Sequence, residues 1–180
     1  MRTLLKSIEA EYGRYKTLAE GAIQQLADED LGRTLGQGSG NCVATIVGHV
    51  AGNLESRFTD FLTSDGEKPW RNREGEFELH GESRAGIMLR WDRGWARLLD
   101  TLASLSDSDL TRGVTIRGVP LAVHEALHRS LSHTSYHVGQ IVFIARGLRG
   151  SDWRFLSIPP GATAEYHRTQ DLEKAPRPLT

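Results

Sequence analysis

The sequence predicts an all-α protein: a four-helix bundle with a small β excursion before its last helix. Three observations predict it. Apolar residues recur at steps of three and four through four long segments. The stretches between them carry the glycines, prolines and serines that interrupt helices. Four amphipathic helices bury their stripes most completely against one another. At 180 residues the chain reads as one domain over residues 1–165, with a frayed tail at 166–180.

The first helix is expected over residues 2–27, with Leu4, Leu5, Ile8, Tyr12, Tyr15, Ala19, Ala22, Ile23 and Leu26 as its stripe. Residues 32–40, GRTLGQGSG, form a loop, and Ser39 or Asn41 can cap the second helix. That helix is expected over 42–62, burying Val43, Ile46, Val47, Val50, Leu54, Phe58 and Phe61. Beside that stripe runs a polar row, His49, Asn53, Ser56 and Asp60. Such a row fits a helix lining a cavity and equally an ordinary half-exposed edge. Cys42 lies two turns before His49, ~10.5 Å along the axis, too far to share a first shell with it. A small buried residue near a helix start is its expected role.

Residues 63–84 form a charged loop, long for a compact domain. Trp70 sits there among Lys68, Arg71 and Arg73, where it either contacts an anionic ligand or simply pins a solvated loop. The third helix is expected over 85–105, with Ile87, Trp91, Trp95, Leu98, Leu102 and Leu105 in the core. Residues 106–120 break the pattern. Val114-Thr115-Ile116 between two glycines predicts a short extended piece, a hairpin, and Pro120 fits just before or at the first turn of the last helix.

That helix, residues 121–146, holds four of the seven histidines as two i, i+4 pairs. His133 and His137 border the face that carries Leu127, Val138 and Ile141. His124 lies roughly 180° from His133 around the axis and drifts, with His128, onto the more polar side. His124-Glu125-Ala126-Leu127-His128 matches H-E-x-x-H, the string in which two histidines bind zinc and a glutamate activates water. Here it stands at the start of its helix, with no third-ligand extension downstream. The inward pair has a better partner in His49. Three neutral imidazoles meeting inside a bundle make a facial set for Zn²⁺ or Ni²⁺, with positions left open. After Gly147 or Gly150, either a plausible cap, the chain is expected to be extended, with Trp153, Phe155, Leu156 and Ile158 available to pin it back.

Composition excludes some classes. Net charge is −1, without the basic excess of a nucleic-acid-binding surface. One cysteine allows no intrachain disulfide, which fits a reducing, cytoplasmic setting. No window approaches the ~18–20 apolar residues of a membrane span, and the N-terminus does not read as a signal peptide.

Three strings give a resemblance: Gly48-His49-Val50-Ala51-Gly52-Asn53, then Phe61-Leu62-Thr63-Ser64-Asp65-Gly66-Glu67-Lys68-Pro69, then His133-Thr134-Ser135-Tyr136-His137-Val138-Gly139-Gln140-Ile141. Together they resemble the DinB/YfiT-like family of metal-dependent enzymes. Leu156-Ser157-Ile158-Pro159-Pro160-Gly161 is similar to one subfamily with no assigned reaction. The resemblance spans about residues 2–165. It implies a DinB-like bundle of up-down-down-up topology, a divalent metal on His49, His133 and His137, and a homodimer. Some relatives are thiol S-transferases using bacillithiol or mycothiol, some isomerise a mycothiol adduct, and others have no known reaction. His124 and His128 have no role in that pattern.

The leading expectation is therefore a metal-dependent enzyme, a thiol S-transferase or hydrolase of small molecules, with Zn or Ni bound and a low-molecular-weight thiol as one candidate substrate. Asn53, Asp60 and Gln140 are candidates to support the site. The alternatives are a non-catalytic metal-binding or stress-related bundle, and an H-E-x-x-H zinc peptidase.

Overall fold

The computed structural model describes residues 2–36, 40–81 and 83–168. Four long helices form a bundle: α1 (Thr3–Gln24), α2 (Val43–Phe58), α3 (Arg84–Ser104) and α4 (Val123–Arg149). A two-stranded antiparallel hairpin, β1 (Gly113–Ile116) and β2 (Val119–Ala122), precedes α4, and a single turn, α5 (Thr163–Tyr166), comes after it. α2 packs chiefly on α3, and α1 on α4. Among the described residues no helix is long and apolar enough to cross a membrane.

The stripes fill one core. Leu5, Tyr12, Ala19, Ala22 and Ile23 of α1 are buried, as is Leu26 just beyond its end. Leu4 is not: it is 60% exposed, because a neighbour of Leu5 points ~100° away around the axis. All seven expected apolar residues of the second segment are buried, and so are the six of the third. Trp91 and Trp95 are fully buried, ring centroids 5.3 Å apart, so they belong to the core. α2 and α3 meet at Gly94, where a Cβ would come within 2.7 Å of the Ala51 carbonyl oxygen. That close approach fixes α2, and with it His49.

Boundaries differ from the sequence reading by a few residues. Cys42 occupies the N-cap position of α2 in place of Asn41, and Ser39 lies outside the described residues. α2 ends at Phe58 instead of residue 62: the next carbonyls are taken up by a tight turn in which Asp60 adopts φ +48°. Phe61 still folds under the helix against Phe58, centroids 5.2 Å apart. Pro120 lies within β2, opposite Thr115, so α4 begins at Val123 and not beside the proline. Arg117 and Gly118, both at positive φ, make the two-residue hairpin turn. At the far end Gly147 is helical and Gly150, φ +56°, caps α4.

The segment after α4 is pinned only in part. Trp153 and Leu156 pack on the core, whereas Phe155 and Ile158 stay exposed. Gln25 at the end of α1 clamps the Arg154 backbone on both its N–H and its C=O. The expected tail falls mostly on residues 169–180, outside the described residues.

Candidate metal centre

His49 occupies the middle of α2 and His133 and His137 one face of α4, where the two helices cross over the core. One ligand atom from each of the three imidazoles lies within 4.8 Å of the others, close enough to hold a metal ion. The ring centroids are 5.1 Å apart for His49 and His133, 4.8 Å for His49 and His137, and 4.5 Å for His133 and His137. Among the described residues no other group of histidines, cysteines and carboxylates has this spacing.

Each side chain is aimed by a neighbour. His49 Nδ1 lies 2.9 Å from Glu76 Oε2. Glu76 is in turn held by Arg71, whose Nε and Nη2 donate to its two oxygens at 2.7 and 2.9 Å. Burial opposes ionisation of Glu76, but the hydrogen bonds from His49 and Arg71 outweigh it and hold the carboxyl below its usual range. An ionised carboxylate only accepts, so His49 carries its proton on Nδ1 and presents the Nε2 lone pair inward. His137 Nδ1 lies 2.7 Å from Gln140 Oε1, one turn on, which leaves its Nε2 free in the same way. Phe77 stacks on the His49 ring at 4.6 Å.

Burial keeps the rings of His133 and His137 neutral. Burial pushes the pKa of His133 down to about 3, with His137, His49, Arg71 and Arg57 adding to it. Burial also lowers His137, against the Gln140 hydrogen bond, which favours the charged form. A neutral imidazole is the form that ligates.

The donor set fits a divalent ion. His49 Nε2 faces His133 Nε2 across 3.1 Å. Two lone pairs at that distance repel unless a cation or a shared proton lies between them. Metal–nitrogen bonds of about 2.0–2.1 Å at tetrahedral angles put ligand nitrogens about 3.3 Å apart, near the spacing found. His133 Nδ1 is buried without a hydrogen-bond partner among the described residues.

A cavity of about 200 Å³ opens beside the triad, walled by His49 and His133, with Asn53 and Phe58 further along α2. The other expected supports separate. Gln140 touches a triad histidine and Asn53 borders the cavity, whereas Asp60 is exposed past the end of α2 and does not line it. Ser56, from the same polar row, is buried and ties down the long loop: its hydroxyl donates to Gly66 O and accepts from Lys68 N.

Glu76 and Phe77 escape sequence reasoning, which gives 63–84 only as a solvated or ligand-contacting loop and names Arg71 only as a neighbour of Trp70. They reach the site because the loop folds back over α2 through a short 3-10 turn, Glu74–Phe77. A signal is present in the sequence. Gly48 and Gly52 flank His49 at helical spacing, and a Cβ on Gly52 would overlap the Glu76 carboxylate. Trp70, the loop residue that stands out by type, is 54% exposed.

The H-E-x-x-H string has a different use. Glu125 Oε2 accepts from Ala122 N at 2.7 Å, closing the first turn of α4. His124 Nδ1 is 2.9 Å from Leu110 O, and His128 is exposed. The glutamate that would activate water is occupied in starting a helix. Cys42 is buried at the N-cap of α2, beside Thr45.

No curated protein and no solved structure gives a significant match to this chain. One family model does, and it covers residues 1–162, from α1 to the segment beyond α4. On that match the chain belongs to the family described as Protein of unknown function (DUF1572), a DinB/YfiT-like domain family.

Proposed function

We propose that the protein is a metal-dependent enzyme of small molecules, with His49, His133 and His137 holding one divalent ion, Zn²⁺ or Ni²⁺. The observation that carries this reading is the convergence of three imidazoles, two of which, His49 and His133, wall a cavity. When bound, the ion would lower the pKa of a thiol or water in its open position and so supply a nucleophile near neutral pH.

The chain's own residues do the rest. Glu76 and Gln140 fix which nitrogen of His49 and His137 faces inward. Arg71 keeps Glu76 charged and in place. Phe77 covers one face of the His49 ring and shields it from water. The cavity gives a substrate access to the His49 and His133 side of the triad. Thiol S-transfer and hydrolysis are the reactions this arrangement serves. A bundle that only stores metal would need the triad but not the cavity.

The test is turnover. Metal-loaded protein, offered an alkyl halide or epoxide with a panel of low-molecular-weight thiols, and separately small esters and amides, should turn over at least one pair. Chelation should abolish that activity and added metal should restore it. Tight metal binding without turnover across both panels would leave the metal-storage reading in its place.

A further inference from the structure

The cavity beside the triad is lined by five arginines, Arg57, Arg71, Arg73, Arg117 and Arg129, and by no carboxylate among the described residues. They come from four places in the fold. Arg57 is on α2, Arg71 and Arg73 are on the loop after it, Arg117 is in the hairpin turn and Arg129 is on α4. Unrelated segments therefore direct like charges into one small space, and like charges gathered this way repel unless something answers them.

Acidic groups answer only part of the charge, and from behind. Glu67 accepts from Arg57 Nη1 at 2.9 Å and from Arg117 Nε at 3.0 Å, with Arg71 Nη1 3.9 Å away. Glu76 takes the other edge of Arg71, and Glu74 pairs with Arg73 at 3.0 Å. Arg129 pairs with no carboxylate among the described residues. Five guanidiniums thus meet three carboxylates, and none of the three lines the cavity. Arg57 is further fixed by donating to the Gly66 carbonyl. The loop residue Asp65 locks the hairpin turn that carries Arg117, accepting from the backbone N–H of Arg117 and of Gly118, each at 2.8 Å. Arg57, Arg71 and Arg117 are held in position before any ligand arrives, which lowers the cost of binding one.

Resting on the reading of the triad as the reactive end, we propose that this cavity binds the anionic end of the substrate, a carboxylate or phosphate group, through Arg57, Arg117 and Arg129. Guanidiniums match either group with paired hydrogen bonds. Arg129 lies one helical turn before His133, and Arg57 lies eight residues after His49, ~6 and ~12 Å along their helix axes. The anion therefore sits one to two turns from the triad, with Phe58, Phe61 and Ile116 bordering the space for the carbon skeleton. At about 200 Å³ the cavity is smaller than the ~300–1,000 Å³ of sites for drug-sized ligands, so the substrate is a compact acid.

The test titrates the full chain, stripped of metal with a chelator and dialysed, with inorganic phosphate, succinate and neutral succinamide by calorimetry at low and high salt. Working without metal keeps the outcome independent of the triad, whose metal content is measured separately. The expected result is saturable binding of phosphate or succinate but not succinamide, weakened by salt and weakened about tenfold or more by Arg129→Met. Arg117→Met, in the hairpin, should act in the same direction, so the result does not hang on one variant. Which anion binds more tightly assigns the group as phosphate or carboxylate. No anion binding by the metal-free chain, or binding that both variants leave unchanged, overturns the proposal. Its failure alongside normal metal content would leave the triad reading intact.

Discussion

At the scale of single residues, Glu76 aims His49, and Gly52 lets Glu76 in. A Cβ on Gly52 meets the Glu76 carboxylate, whereas a Cβ on Gly139 meets nothing within 4 Å. Two glycines of the family-like strings should therefore behave in opposite ways. Gly52→Ala is expected to displace Glu76 and weaken metal binding as Glu76→Gln does, by about 10–100-fold. Gly139→Ala should leave metal binding alone and stabilise α4 by up to about 1 kcal/mol. Competition against a chromogenic chelator, with thermal melts of the same variants, checks both. Equal metal affinity in wild type and Gly52→Ala would remove Glu76 from the site. These residues also mark how far the sequence can be read. His49, His133 and His137 are legible because helical spacing puts them at the edges of apolar faces and the resemblance joins them into one set. Glu76 is not, because its position depends on a loop folding back over α2, and no periodicity encodes that.

At the scale of elements, the two histidine pairs of α4 divide along its length. The C-terminal pair faces α2 and makes the triad, while the N-terminal pair flanks a helix start. Glu125→Ala should cost about 0.3–1.5 kcal/mol by removing a helix-closing hydrogen bond, and should leave metal content unchanged. Urea unfolding alongside metal analysis decides it; loss of metal with no loss of stability would return the peptidase string to contention. The loop between α2 and α3 has the composition of a solvated segment, and at Trp70 it is one. Elsewhere it is a docked element. Asp65 binds the hairpin turn, Gly66 N donates to Thr115 O at 2.7 Å, and Ser56 fastens the loop to α2. Its charged composition hides this, because the charges pair with one another and with the hairpin. The four helices are legible because each stripe is long and regular. Their ends are not, because the turn at Asp60 and the strand at Pro120 are set by local backbone bonds that apolar spacing does not report.

At the scale of the whole molecule, the site and the loop beside it lose stability together as pH falls. The folded chain keeps His133 unprotonated down to about 3, while in the unfolded chain it takes up a proton as pH falls through about 6.5. Over that window the unfolded state binds more protons, so stability falls as pH falls. His137 is shifted the same way. Asp65, held down chiefly by the Gly118 and Glu67 N–H groups, adds stability above the ordinary carboxyl range, and that stability is lost as pH drops through its lowered value. Chemical denaturation of metal-free protein should thus show decreasing stability from pH 7.5 to pH 5; a flat profile would mean that the histidines are not buried as described. The central claim is that the three converging histidines are one metal site, and metal content per chain tests it most directly. Wild type, purified and dialysed against buffer with a stoichiometric divalent metal, should hold about one ion. His49→Ala and His133→Ala should hold none, and His128→Ala should hold as much as wild type. An empty wild type, or loss confined to His124 and His128 variants, would contradict the account.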